Sequence, residues 1–182
     1  STPLYSSAAS DVYKRQTLEF VVIGPSSVLF YLTAYTAANL TAFFAVIAIC
    51  NRTAGSRIDD FAGMVRRAPF LAVALTLALV ALIGVPPTSI FIAKLYIFTA
   101  AVDSGLAWLA IVGVLNSVVS AYYYVRVIRV MFLQQSISQE SVSTPISSLI
   151  ALTLAGTTML WIGIAPGYIM RVTQSAASVL GG

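Results

Sequence analysis

Two successive prolines, Pro86 and Pro87, interrupt an apolar run that extends from Phe70 to Val102 without an acidic residue. As one continuous helix its 33 residues would measure about 50 Å, far more than a hydrocarbon core of roughly 30 Å. The run therefore reads as a membrane helix broken at Gly84-Val85-Pro86-Pro87-Thr88-Ser89. Each proline lacks a backbone N–H and clashes with the preceding turn, so carbonyls are left unpaired at membrane depth. Lipid cannot satisfy them. The hydroxyls of Thr88 and Ser89, with water in a protein-lined cavity, are the expected partners.

Seven residues beyond Pro87 stands Lys94, with apolar or aromatic neighbours and no opposite charge beside it in sequence. Counting back nine residues from Asp103 places it about 13 Å from the outer face, near the bilayer midplane. A charged side chain there costs on the order of 2.5–3.5 kcal/mol and generally faces a bundle interior or an ion path. The bland alternative is an amine that snorkels along its stem to the outer surface. A deeply placed amine changes its protonation as neighbouring charges move, which is the property a proton relay requires. No Asp or Glu lies within the apolar segments, so the modulating charge is expected from elsewhere: an upstream region, another subunit, or water-mediated coupling.

Composition places the rest of the chain in the same setting. Of 182 residues, 59% are hydrophobic and 9% charged, against about 45–50% and 25% in soluble domains. The expected fold is all-α: a polytopic transmembrane helix bundle of about four full spans, preceded by a helix stub. The spans are expected at about 25–50, 70–102, 106–133 and 146–165, with Pro25 and Pro145 as helix starts and Pro166-Gly167 as a stop. Residues 1–16 form a polar leader without helical period. Its DVYKRQ string resembles translated adapter sequence, so it is expected to be non-native or disordered. Residues 17–24 read as the stub of a preceding helix, and 25–182 as the membrane region.

The net charge of +4 raises the question of nucleic acid, but placement answers it. Arg52, Arg57, Arg66 and Arg67 cluster between two apolar segments, and Arg126 and Arg129 close the third. This is the cytoplasmic bias of a membrane protein, with the turn at Asp103 and the tail bearing Arg171 outside. Tyr122 to Tyr124, about 25 Å along their helix from Leu106, suit a cytoplasmic aromatic belt. No basic face interleaved with exposed aromatics supports nucleic-acid binding. The chain has no histidine and one cysteine, Cys50. It therefore has no donor set of its own for zinc, a disulfide or a cysteine-ligated iron–sulfur cluster. No glycine-rich phosphate loop follows a strand pattern either. No cofactor is expected in this chain.

In the third span Asn116 and Ser120 lie four apart, with Tyr123 and Tyr124 near the continuation of that face. With Tyr123, they could line a polar track toward the cytoplasm, or simply hydrogen-bond between helices. Gly113, Ser117 and Ala121 form a ridge suited to close helix packing. Asn39 and Thr41 read as packing polar groups.

The runs GVPPTSIFIAKLYIF (Gly84–Phe98) and GVLNSVVSAYYYVRV (Gly113–Val127), with YLTAYTAANLTAFFAVIAI and IDDFAGMVRRAPFLA before them, strongly resemble subunit N of bacterial NADH–quinone oxidoreductase, respiratory complex I. The resemblance extends from Leu18 to the C-terminus, the last four or five of about fourteen helices in that family. It implies a discontinuous helix broken at Pro86 and Pro87, whose Lys94 belongs to a central hydrophilic axis. It also implies other membrane and peripheral subunits as partners, and a bacterial inner-membrane location. NADH, FMN, iron–sulfur clusters and quinone would belong to those other subunits. The chain departs from the family at Ile90 and Ala93, where glycine is usual; both changes are expected to narrow the space around Lys94. The family's earlier glutamate and lysine have no counterpart here. Alternatives are a subunit of a multisubunit cation/proton antiporter, which the NSVVSAYYYVRV string argues against, and a structural assembly subunit in which Lys94 is incidental.

Overall fold

The computed structural model describes residues 4–51, 53, 55, 57–135 and 146–180, with side chains from 25 to 177 of these. Among them the chain is all-α. The order is α1 (Leu4–Cys50), a 3₁₀ turn (Ile58–Phe61), α2 (Met64–Arg67), α3 (Pro69–Ile83), α4 (Ser89–Asp103), α5 (Ala107–Leu133), α6 (Ile146–Ile164) and α7 (Pro166–Leu180). Arg52 and Pro145 lie outside the described residues.

The apolar segment of α1 is the hub. Ala34, Ala38, Ala45 and Ala48 are buried along one side with Phe30, Thr41 and Ile49. Their small side chains let other backbones approach closely. α3, α4, α6 and α7 all pack against α1, whereas α5 packs on α3, α4 and the 3₁₀ turn. Among the described residues three helices are long and apolar enough to cross a membrane: Pro25–Cys50 of α1, Ala107–Leu133 and Ile146–Ile164. Among the described residues α5 is the least covered of the three, 6% buried against 39% for the α1 segment. The expected span at 70–102 is divided between α3 and α4, each 15 residues and so about 22 Å, too short to cross alone.

Two boundaries differ from the sequence reading. Pro25 sits inside α1 rather than at its start, and the helix continues back to Leu4. The stretch expected to lie outside the fold is therefore helical from Leu4. A proline inside a helix removes one N–H and one helical bond, and here the helix runs on. At the other end, Pro166 stops α6 but also opens α7. Its fixed φ and missing N–H suit a first helical position, so one residue ends one helix and starts the next.

Candidate functional site

The break is built by Gly84. It adopts φ +87° and ψ 49°, a left-handed conformation that ends α3. Its N–H donates to the carbonyls of Ala81 at 2.9 Å and Val80 at 3.2 Å, and the Val85 N–H donates to Val80 at 3.4 Å. This is the bonding of a glycine-terminated helix end. It leaves the next two carbonyls, Leu82 and Ile83. In a continuing helix their donors would be residues 86 and 87, and both are prolines.

Lys94 supplies what the prolines lack. Its Nζ donates to the Ile83 carbonyl at 2.9 Å and the Leu82 carbonyl at 3.5 Å. Side chains on a helix tilt toward its N-terminus. Lys94, in the second turn of α4, thus reaches back across the break and does not snorkel outward. Its stem lies over Gly84, where a β-carbon would stand 3.2 Å from both Cδ and Nζ. The C-terminal end of a helix carries roughly half a negative charge, so α3 itself provides electrostatic support for the ammonium. Among the described residues Lys94 has no carboxylate partner.

Thr88 and Ser89, the expected hydroxyl donors, do not take this part. Both are buried, and neither Thr88 Oγ1 nor Ser89 Oγ has a hydrogen-bond partner. They lie beyond the turn, where α6 presses directly on the backbone. A β-carbon on Gly163 would stand 2.5 Å from the Pro87 carbonyl oxygen and 2.6 Å from the Ser89 nitrogen. Ile90 and Ala93 also turn away from the site. They are buried in the core, and neither lines the cavity at Lys94.

That cavity has a volume of about 340 Å³ and lies between α1, the broken helix and α5. Lys94 and Leu82 border it on one side, Tyr31 and Tyr35 on another, and Asn116, Ser117, Ser120 and Tyr124 on the third. It is polar enough and large enough to hold several waters. The phenols of Tyr31, Tyr35 and Tyr124 are close enough to interact electrostatically, and the rings of Tyr31 and Tyr35 stack at 5.7 Å. Ser117 and Ser120 donate to the carbonyls of Gly113 and Asn116, each at 2.9 Å, leaving oxygen lone pairs as acceptors.

The structure thus joins Lys94 with Asn116 and Ser120, but not with Tyr123. That ring is 59% exposed and packs edge-on against Tyr122 at 5.6 Å; Tyr124 occupies the place expected for it. Tyr31 and Tyr35 escaped the sequence reading altogether. Their signal was the four-residue spacing of two tyrosines on an apolar helix. Asn39 and Thr41 bond within α1, to the carbonyls of Tyr35 and Ala37 at 2.9 Å each. Gly113 of the small-residue ridge lies against Phe98, whose Cε1 would be 2.7 Å from an added β-carbon.

Residues 16–120 match the family described as NADH:quinone oxidoreductase/Mrp antiporter, transmembrane. NADH-quinone oxidoreductase subunit N of Dehalococcoides mccartyi is 40% identical over 157 residues, covering 86% of this chain and 32% of that protein. The chain therefore spans about a third of the length of the curated relatives it matches. Among solved structures, the membrane-bound sulfane sulfur reductase, an archaeal respiratory membrane complex, aligns with TM-score 0.79 and 28% identity, over 86% of this chain and 32% of its own. Respiratory complex I from Thermus thermophilus aligns with TM-score 0.69 and 25% identity, over 84% and 36%.

Proposed function

This chain belongs to the NADH:quinone oxidoreductase/Mrp antiporter transmembrane family, and from that premise we propose that Lys94 is a proton-relay residue in an antiporter-like membrane subunit of an NADH–quinone oxidoreductase. Quinone reduction elsewhere in the complex rearranges charge, and Lys94 takes up and releases a proton in response. The observation that carries this reading is the position of its amine, which holds the two carbonyls orphaned by Pro86 and Pro87 while bordering a polar cavity. One side of the site thus fixes the amine, and the other gives it a route for protons through water, Asn116, Ser120 and the three tyrosines.

The protein is a multi-pass membrane protein; the bacterial inner membrane is its proposed location. Its proposed partners are the other membrane and peripheral subunits, which would carry NADH, FMN, iron–sulfur clusters and quinone. The chain's own share is vectorial proton transfer. Subunit N relatives favour this redox-driven assignment over a multisubunit cation/proton antiporter.

The test is Lys94→Met in the complete complex, reconstituted in vesicles, with the ratio of protons moved to electrons transferred as readout. A reduced ratio in an assembled complex supports the relay and rejects a purely structural role. An unchanged ratio overturns the relay.

A further inference from the structure

A second cavity, of about 600 Å³, lies between the 3₁₀ turn Ile58–Phe61 and the late part of α5. The Gly63 N–H donates to the Val130 carbonyl at 3.4 Å and ties the segment after that turn to α5, so the groove has two fixed walls. Its lining changes character along the helix. Val118, Tyr122 and Val125 form an exposed apolar wall, followed by Arg126 and Arg129. From Val118 to Arg126 is eight residues, about 12 Å. The two arginines lie three apart and are surface neighbours. Neither has an ion-pair partner among the described residues. Asp59 lines the opposite wall.

We propose that this groove binds an anionic glycerophospholipid, with its phosphate on Arg126 and Arg129 and an acyl chain along the apolar wall of α5. The site has the polarity of an amphiphile: charge at one end and a hydrocarbon track running from it toward the middle of the helix. Guanidinium groups bind phosphate through paired N–H donors. Basic pockets between helices on the cytoplasmic side recognise lipid headgroups in this way, and Arg126 and Arg129 stand on the same side as the arginine-bearing loop. Two arginines against one aspartate leave one positive charge, which a headgroup of net charge −1 neutralises and a zwitterionic one does not. Asp59 provides acceptors for headgroup hydroxyls, as in phosphatidylglycerol. An apolar helix from another subunit would instead bury two guanidinium groups without an acceptor, at a high desolvation cost.

The experiment uses the complete detergent-solubilised complex and photoactivatable phosphatidylglycerol, with phosphatidylcholine of the same acyl chains as comparison probe. Cross-linked peptides are located by mass spectrometry. Residues 118–134 should be labelled by the anionic probe on the order of tenfold more than by the zwitterionic one. Arg126→Gln with Arg129→Gln should abolish the difference while leaving labelling elsewhere unchanged. Equal labelling by both lipids, or a difference that survives the double substitution, overturns the proposal. Competition in the unsubstituted complex gives the same decision should the variant not assemble. Unlabelled phosphatidylglycerol should displace the probe, and glycerol phosphate should not; displacement by glycerol phosphate would mean a free-anion site. A photo-cross-linking residue at Val125 that captures protein instead of lipid also overturns it.

Discussion

The amine of Lys94 lies 2.9 Å from the carbonyl oxygen of Ile83, the acceptor that residue 87 would have filled were it not proline. One side chain thereby mends the helix that the double proline breaks. Lys94→Met should leave the Leu82 and Ile83 carbonyls without a protein donor. Each orphaned acceptor costs about 1–3 kcal/mol, so thermal unfolding of the complex should show a lower transition for the part containing this subunit, together with the loss of pumping.

Lys94→Arg separates those two effects. A guanidinium has donors enough for both carbonyls but does not release its proton in the working pH range. Thermal stability should stay near that of the parent, while proton transfer falls as far as in Lys94→Met. Pumping at the parent rate in Lys94→Arg would contradict a relay through this side chain.

Gly84→Ala should act on the same site from its other side. An alanine at φ +87° costs about 1–2 kcal/mol, and its β-carbon would press on the Lys94 stem. The expected outcome is a destabilisation of that order, seen in thermal unfolding, with a partial pumping defect.

Two other glycines should respond unequally to alanine. At Gly163 the new methyl meets backbone of Pro87 and Ser89, whereas at Gly113 it meets only the edge of the Phe98 ring. Backbone cannot swing aside as a ring can. Gly163→Ala should cost about 1–3 kcal/mol and lower the yield of assembled complex; Gly113→Ala should cost clearly less. Thermal melts of both variants, run in parallel, decide it.

Three adjacent tyrosines offer a controlled comparison. Tyr124→Phe removes a hydroxyl from the Lys94 cavity, whereas Tyr123→Phe changes only an exposed ring. Pumping should slow in the first by about 10²-fold, the low end of the range for loss of a positioned proton-transfer group, and remain unchanged in the second. Equal rates in both variants would exclude the phenol from the route.

The break and its lysine were legible in sequence because both are local. Prolines cannot donate, 33 residues are too many for one crossing, and an isolated amine among apolar residues needs a partner. The donor to the carbonyls freed by the prolines was not legible from proximity in sequence, which pointed to Thr88 and Ser89. The backward tilt of side chains on α4 brings Lys94 to the orphaned carbonyls instead. The choice between Tyr123 and Tyr124 was closed for another reason. Both continue the face of Asn116 and Ser120 within 3.6-residue periodicity, and only the position of the cavity between α1, the broken helix and α5 separates them. Tyr31 and Tyr35 enter the site solely through the packing of α1 on α3 and α4. α7 was hidden because a proline that stops one helix also suits the start of another.

With only hydrogen atoms of Gly163 facing the Pro87–Ser89 backbone, no pliable side chain cushions α6 against the kinked strand of chain beside it. The two are in direct backbone contact, so any movement of the kink would press on α6 itself and on α7, which follows it after a single residue. Whatever neighbouring surface rests on those last two helices would receive that displacement as a mechanical signal.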